Sequence, residues 1–282
     1  LRCRRPDHIR ARRRSPHRER REIPHLPSCS ATSGDSRMRL SSFAAVGLAF
    51  FIATAAARAD CTTETLPFAG VTRSYSLCVP AEAKPDMPVL LLLHGSYGTG
   101  ARIALLWQDF AARRGIILVA PDALHSDAWR LKDDSPDFLH AVVNEVQTRY
   151  SADRRRLYLF GQSGGAVYGL TLAMLESDYF AAIAIHAGAW RSPAEFKAIA
   201  LARRRIPLKI IVGDKDEYFS ATAVHGTKAA LSAAGFPIEV EIVPGQHHGF
   251  IPEIAAATEE SAWRFLAPVT LTANPMFLEY GD

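Results

Sequence analysis

Cysteine is scarce in this sequence, with four in 282 residues, at positions 3, 29, 61 and 78. So few thiols exclude a disulfide-dense scaffold, and the two beyond residue 60 have no further cysteine with which to build a zinc site. Internal repeats are absent, and no long Pro/Ser-rich linker interrupts the chain after residue 60. No uncharged run is suited to a membrane span either: Ser41 to Ala57 carries no charge but is 17 residues long and rich in Ala and Ser. Acidic residues are sparse only at the start. Residues 1–37 hold 11 arginines against 4 acidic residues, whereas residues 60–282 hold 20 Lys+Arg against 25 Asp+Glu. The formal net charge of +4 therefore comes from the amino-terminal stretch, and the rest of the chain, at −5, offers no basic footprint for nucleic acid.

What is present is ordinary for a soluble globular protein, 48% hydrophobic and 22% charged. Met38-Arg39-Leu40, the uncharged stretch and Ala57-Arg58-Ala59 have the charge, apolar run and A-x-A site of a secretory signal peptide over residues 38–59. On that reading residues 1–37 are a disordered basic leader or an over-extended gene start. The product, residues 60–282, is then secreted or periplasmic, with no stable membrane anchor after cleavage. The residues before Cys61 do not suit a lipoprotein. Cys61 and Cys78 are equidistant from a turn signal at Ala69-Gly70, so a simple hairpin sets them opposite each other, and an exported protein would join them in a disulfide.

The centre of the chain is Leu157-Tyr158-Leu159-Phe160 followed by Gly161-Gln162-Ser163-Gly164-Gly165 and an apolar helical run to Leu175. Strand, G-x-S-x-G turn and helix in that order force the serine out of a sharp bend, beside the positive end of the helix dipole. Around it, strands are expected near 74–79, 88–93, 116–120, 180–185, 208–212 and 238–243. Helical patterns at 101–114, 136–150, 193–202, 221–234 and 252–265 alternate with them. Such alternation implies an α/β fold with a mainly parallel, doubly wound sheet, here with an amino-terminal antiparallel hairpin and a single domain.

In such a sheet reactive groups gather beyond the carboxyl ends of strands. A serine hydroxyl needs a base, and the base needs a carboxylate to fix its tautomer. Gly213-Asp214-Lys215-Asp216 follows one strand and Gly245-Gln246-His247-His248-Gly249-Phe250 the next. The residues alone leave Asp214 or Asp216, and His247 or His248, open. His94 lies at a strand end, where a structural hydrogen-bonding role is expected. His186 and His225 read as surface or core residues.

With His94-Gly95-Ser96, the elbow, Gly213-x-x-Asp216 and His248-Gly249-Phe250, the sequence resembles the polyhydroxybutyrate depolymerase-like and feruloyl esterase-like families of the α/β-hydrolase superfamily, from about Tyr75 to Phe265. The resemblance implies Ser163 as nucleophile, Asp216 as triad acid and His248 as base, with the amides of Gly164 and Ser96 as the oxyanion hole. It implies no metal and no cofactor. The expected reaction is two-step acyl transfer on a small or oligomeric ester: a hydroxyalkanoate oligomer, or a phenolic or acetyl ester of a polysaccharide. Trp129, Trp190 and Tyr218 follow strands and are candidates to wall an acyl or aromatic pocket, simple packing over the sheet being the other reading. A peptidase or acyltransferase could use the same residues, and a non-catalytic binding protein on this fold is the third class. Oligomeric state is not readable from the sequence.

Overall fold

In the computed structural model, residues 59–280 are described, so the expected signal peptide and leader lie outside the described residues. An antiparallel hairpin opens them, β1 (Ala59–Phe68) and β2 (Val71–Pro80), longer than the strand expected near 74–79. Its two-residue turn puts Ala69 and Gly70 at φ 47° and 76°, the left-handed geometry that matches the twist of the flanking strands. The register sets Cys61 opposite Cys78, and a disulfide joins them.

The rest alternates strictly: β3 (Val89–Leu93), α1 (Gly100–Arg114), β4 (Ile117–Pro121), α2 (Pro136–Arg149), β5 (Leu157–Gln162), α3 (Gly164–Leu175) and β6 (Ala182–His186). After a short α4 (Pro193–Phe196) come β7 (Leu208–Lys215), α5 (Ala221–Ala233), β8 (Ile238–His247) and α6 (Pro252–Leu266). One eight-stranded sheet results, in the order β1-β2-β4-β3-β5-β6-β7-β8. The pairings β1–β2 and β2–β4 are antiparallel and the others parallel. This is the expected α/β-hydrolase architecture.

Residues of β3 alternate between two cores. Leu91 and Leu93 meet α2, α3 and α5 on one face, through Phe138, Leu170 and Val224. Leu90 and Leu92 meet α1 and α6 on the other, through Trp107 and Trp263. Every residue of β3, β4 and β6 is buried, which is why these strands read as unbroken apolar runs rather than as alternation.

Two expectations needed correction. The helix expected over 193–202 breaks after one turn into a 3-10 segment, Lys197–Leu201. Ser192 and Glu195 form a reciprocal capping box at its start, but only Ala198 in the 3-10 turn is buried, so little core packing holds a longer helix in place. Strands β7 and β8 run past Val212 and Val243 to Lys215 and His247, across a register shift between Gly213 and Lys215. They thereby deliver Asp216 and His248 to neighbouring positions just beyond the sheet.

Candidate active site

Ser163 sits between β5 and α3 with φ 53° and ψ −115°, a conformation that side chains rarely adopt. Its neighbours explain how the bend is tolerated. A first side-chain carbon on Gly165 would lie 2.3 Å from the Leu93 carbonyl oxygen, and one on Gly164 2.6 Å from Ser96 Oγ. Glycine is thus required for α3 to approach β3, and the Ser163 amide is anchored by donating to the His186 carbonyl at 3.0 Å.

From Ser163 a chain of hydrogen bonds runs inward. Ser163 Oγ is 2.9 Å from His248 Nε2, and His248 Nδ1 is 2.9 Å from Asp216 Oδ2. The Asp216 side chain is fully buried, and its other oxygen accepts the amides of Tyr218 and Phe219 at 2.9 and 2.8 Å. A carboxylate so held is fixed in orientation, and it fixes the imidazole with its Nδ1 protonated and Nε2 facing the serine. The adjacent candidates go elsewhere: Asp214 accepts the Gly245 amide, and exposed His247 pairs with Glu217. That contact with His247 holds the Glu217 carboxyl down at about 2, and Glu217 also accepts the His248 amide at 3.0 Å.

The loop after β3 is braced from behind. His94 is buried, which lowers its pKa and keeps it neutral. Its Nε2 accepts the Ala123 amide at 3.1 Å, so Nδ1 carries the proton and donates to the Gly95 carbonyl at 2.8 Å. The expected structural role of His94 therefore matches its contacts. His186 is also buried, and burial pushes it down to about 4. Its Nε2 accepts from the Gln246 side-chain Nε2 at 2.6 Å, tying β6 to the segment that carries His248.

Ser163, Gly164, Ser96 and His248 open onto one cleft of ≈ 620 Å³. Of the three aromatic candidates, Tyr218 and Trp129 line it. Trp129 is mostly buried: its indole donates to the His94 carbonyl at 2.8 Å and its ring stacks on Tyr168, so it supports the Ser96 loop as well as walling the cleft. Trp190 does not reach the cleft. It is 1% exposed and packs against Phe196, and its amide donates to Thr227 Oγ1 of α5 at 3.0 Å. Its neighbour Arg191 reaches the cleft instead, with its guanidinium 4.6 Å from the Phe219 ring centre. Sequence reasoning missed Arg191, Phe219 and Tyr168. Phe219 had a signal, since it adjoins Tyr218 three residues beyond Asp216, whereas Tyr168 read only as an apolar helix position.

Residues 120–268 match the model of the Dienelactone hydrolase family. NocK of Nocardia uniformis subsp. tsuyamanensis, named as an esterase, is 31% identical over an alignment of 179 positions that covers 57% of this chain and 50% of NocK. The chain thus spans about half the length of that relative. A solved ferulic acid esterase superposes with a TM-score of 0.61 at 18% identity, covering 75% of this chain and 98% of the other. LpqC, a poly(3-hydroxybutyrate) depolymerase from Bordetella parapertussis, gives 0.60 at 18% identity, covering 77% and 92%. At such identities the structural likeness establishes the fold.

Proposed function

The chain belongs to the dienelactone hydrolase family, and on that footing we propose that it is a secreted serine esterase working through Ser163, His248 and Asp216. The observation that carries the reading is the pair of 2.9 Å contacts linking serine, imidazole and buried carboxylate, with the serine on a strained bend at the floor of a cleft.

In the proposed cycle Ser163 Oγ attacks the ester carbonyl while His248 Nε2 takes its proton. The resulting imidazolium faces Asp216, whose buried charge stabilises it. The developing oxyanion is met by the amides of Gly164 and Ser96; the Ser96 nitrogen lies 3.2 Å from where a side-chain carbon on Gly164 would stand, which supports the pairing by bringing the two backbones together. Gly164 also opens α3, adding the positive end of the helix dipole. His248 then protonates the departing alkoxide. A water molecule, deprotonated by the same imidazole, releases the acid from the acyl-enzyme and restores Ser163. One such donor is commonly worth about 3 kcal/mol of transition-state stabilisation, so the Ser96 loop makes a substantial contribution, though a smaller one than a triad residue.

The substrate we assign is a small or oligomeric carboxylic ester, a hydroxyalkanoate oligomer or a phenolic or acetyl ester of a polysaccharide. Cleft size and the mixed apolar and polar wall around Trp129, Leu131 and Tyr218 support this class. The Cys61–Cys78 disulfide supports an exported protein, and no helix among the described residues is long and apolar enough to cross a membrane. The test is release of p-nitrophenol from p-nitrophenyl butyrate by the purified protein beside Ser163→Ala. Turnover by the first and at least about ten-thousandfold less by the second is expected, on the order of the loss when a triad member is removed. A folded wild-type protein without turnover would overturn the assignment.

A further inference from the structure

The cleft of ≈ 620 Å³ over Ser163 has a smaller neighbour of ≈ 300 Å³. The smaller one lies between the loop at 96–99 and residues 249–251, which directly follow the base. Ser96 and Tyr97 line both clefts. The wall of the smaller cleft abuts the nucleophile, since a first side-chain carbon on Gly95 would lie 2.2 Å from Gln162 Oε1 and 3.1 Å from Ser163 Cβ. Tyr97, 78% exposed, stands between the two clefts at φ 61°, a left-handed backbone that is costly for a side chain of this kind.

Arg102 is the sole charged side chain that lines the smaller cleft among the described residues. Ser96, Tyr97, Thr99 and Gln162 are polar but neutral there, and burial keeps His94 uncharged. No carboxylate among the described residues pairs with the exposed Arg102 guanidinium; the residue's hydrogen bond runs from its backbone amide to Thr99 Oγ1 at 3.2 Å. Asp122, at the same end of α1, is engaged by the Gly100 amide and the Ser74 hydroxyl at 2.7 and 2.6 Å. The position does not favour a cation for the sake of the helix. Arg102 lies in the first turn of α1, which holds no acidic residue, so its charge meets the positive end of the helix dipole. The cation of the larger cleft is differently placed: Arg191 packs over the Phe219 ring and donates to the Tyr218 carbonyl at 3.4 Å.

We infer that the smaller cleft receives the alcohol half of the ester and that Arg102 recognises an anionic group, carboxylate or phosphate, carried by that alcohol. The departing alkoxide takes its proton from His248, and the loop that follows His248 forms one wall of this cleft, which puts the alcohol on this side and the acyl chain in the larger cleft. This rests on the esterase reading and deepens it.

The experiment holds the acyl group constant and varies the charge of the alcohol. It measures kcat/KM of the full chain on the butyryl esters of glycolate and of glycolamide, which are alike in size, and on those of glycol monophosphate and of glycol. Comparing each anionic-to-neutral ratio between wild type and variant cancels the intrinsic reactivity of the esters. In Arg102→Gln the ratio should fall by about threefold to tenfold, the span from an exposed ion pair to a charge-assisted hydrogen bond, and Arg102→Lys should keep part of it. Added salt should lower the wild-type ratio in the same direction. A fall for only one of the two pairs supports the subsite and identifies which anion it takes. A folded Arg102→Gln with wild-type ratios overturns the subsite, while turnover of the neutral esters leaves the esterase reading standing. A fall that follows Arg191→Gln instead puts the anion in the larger cleft and overturns the assignment to the smaller one. Absence of turnover on every ester overturns the esterase reading, and the subsite with it.

Discussion

Replacing Asp216 by Asn removes a charge without changing shape, and the surrounding bonds determine how the amide settles. One oxygen of Asp216 accepts two backbone amides, from Tyr218 and Phe219, while the other faces His248 Nδ1. If the Asn NH2 turned toward the two amides, three donors would meet and two hydrogen bonds would be lost, at about 1 kcal/mol each before repulsion is counted. The oxygen therefore stays with the amides and the NH2 faces His248. The imidazole must then accept at Nδ1, which moves its proton to Nε2, opposite Ser163 Oγ, where it can no longer serve as a base. The loss expected is about 10⁴-fold in kcat, equivalent to ~5.5 kcal/mol of barrier, with KM changed by less than roughly threefold. Steady-state kinetics on p-nitrophenyl butyrate measure this, with circular dichroism melting to establish that the variant is folded. Asp214→Asn, which touches only the Gly245 amide, should retain kcat within about twofold. A folded Asp216→Asn within tenfold of wild type would refute the reasoning, the more so if Asp214→Asn were the damaged one.

Other expectations follow from packing and linkage. Gly165→Ala drives a methyl group against the Leu93 and His94 carbonyls, both backbone atoms that cannot swing aside, so urea denaturation should show a loss of roughly 3 kcal/mol or more. Cys61→Ser/Cys78→Ser opens a loop with a sequence separation of 17 and should cost ~3 kcal/mol by chain entropy, an effect that reductant reproduces in the wild type. Burial lifts the Glu259 carboxyl from 4.5 to about 7, so the folded protein keeps a proton there that the unfolded chain has lost. That contribution is full below pH 4.5 and disappears as pH rises through about 7. Glu259→Gln should therefore gain stability over wild type progressively between those pH values, reaching about 1–2 kcal/mol at high pH. A melting-temperature difference independent of pH would contradict it.

Those parts of the fold that depend on local pattern were legible in the sequence. Unbroken apolar strands between helical segments, the G-x-S-x-G bend and the symmetric placement of Cys61 and Cys78 about Ala69-Gly70 each follow from chemistry within a few residues. What lay beyond reach depended on partners distant in the chain. Burial says that Trp190 is apolar but not which way it faces; its contacts with Phe196 and with Thr227, 37 positions along the chain, hold it inside, while Arg191 lines the cleft. Neither Asp214 nor His247 can be set aside by composition, because their separation from Asp216 and His248 arises from the register shift between β7 and β8. The buried Arg73–Asp134 pair, which holds the 122–134 loop against β2, joins residues 61 positions apart and leaves no local trace.

The central claim, covalent catalysis at Ser163, is tested most directly by trapping the acyl-enzyme. The protein is mixed with excess p-nitrophenyl butyrate, quenched in acid within the first turnover and measured by intact-mass and peptide mass spectrometry. One butyryl group per chain is expected, on the peptide that contains Ser163, forming far more slowly in His248→Ala, which lacks the base for acylation, and absent from Ser163→Ala. Sustained turnover with no acyl adduct, or an adduct that persists at another residue when Ser163 is replaced, would contradict it.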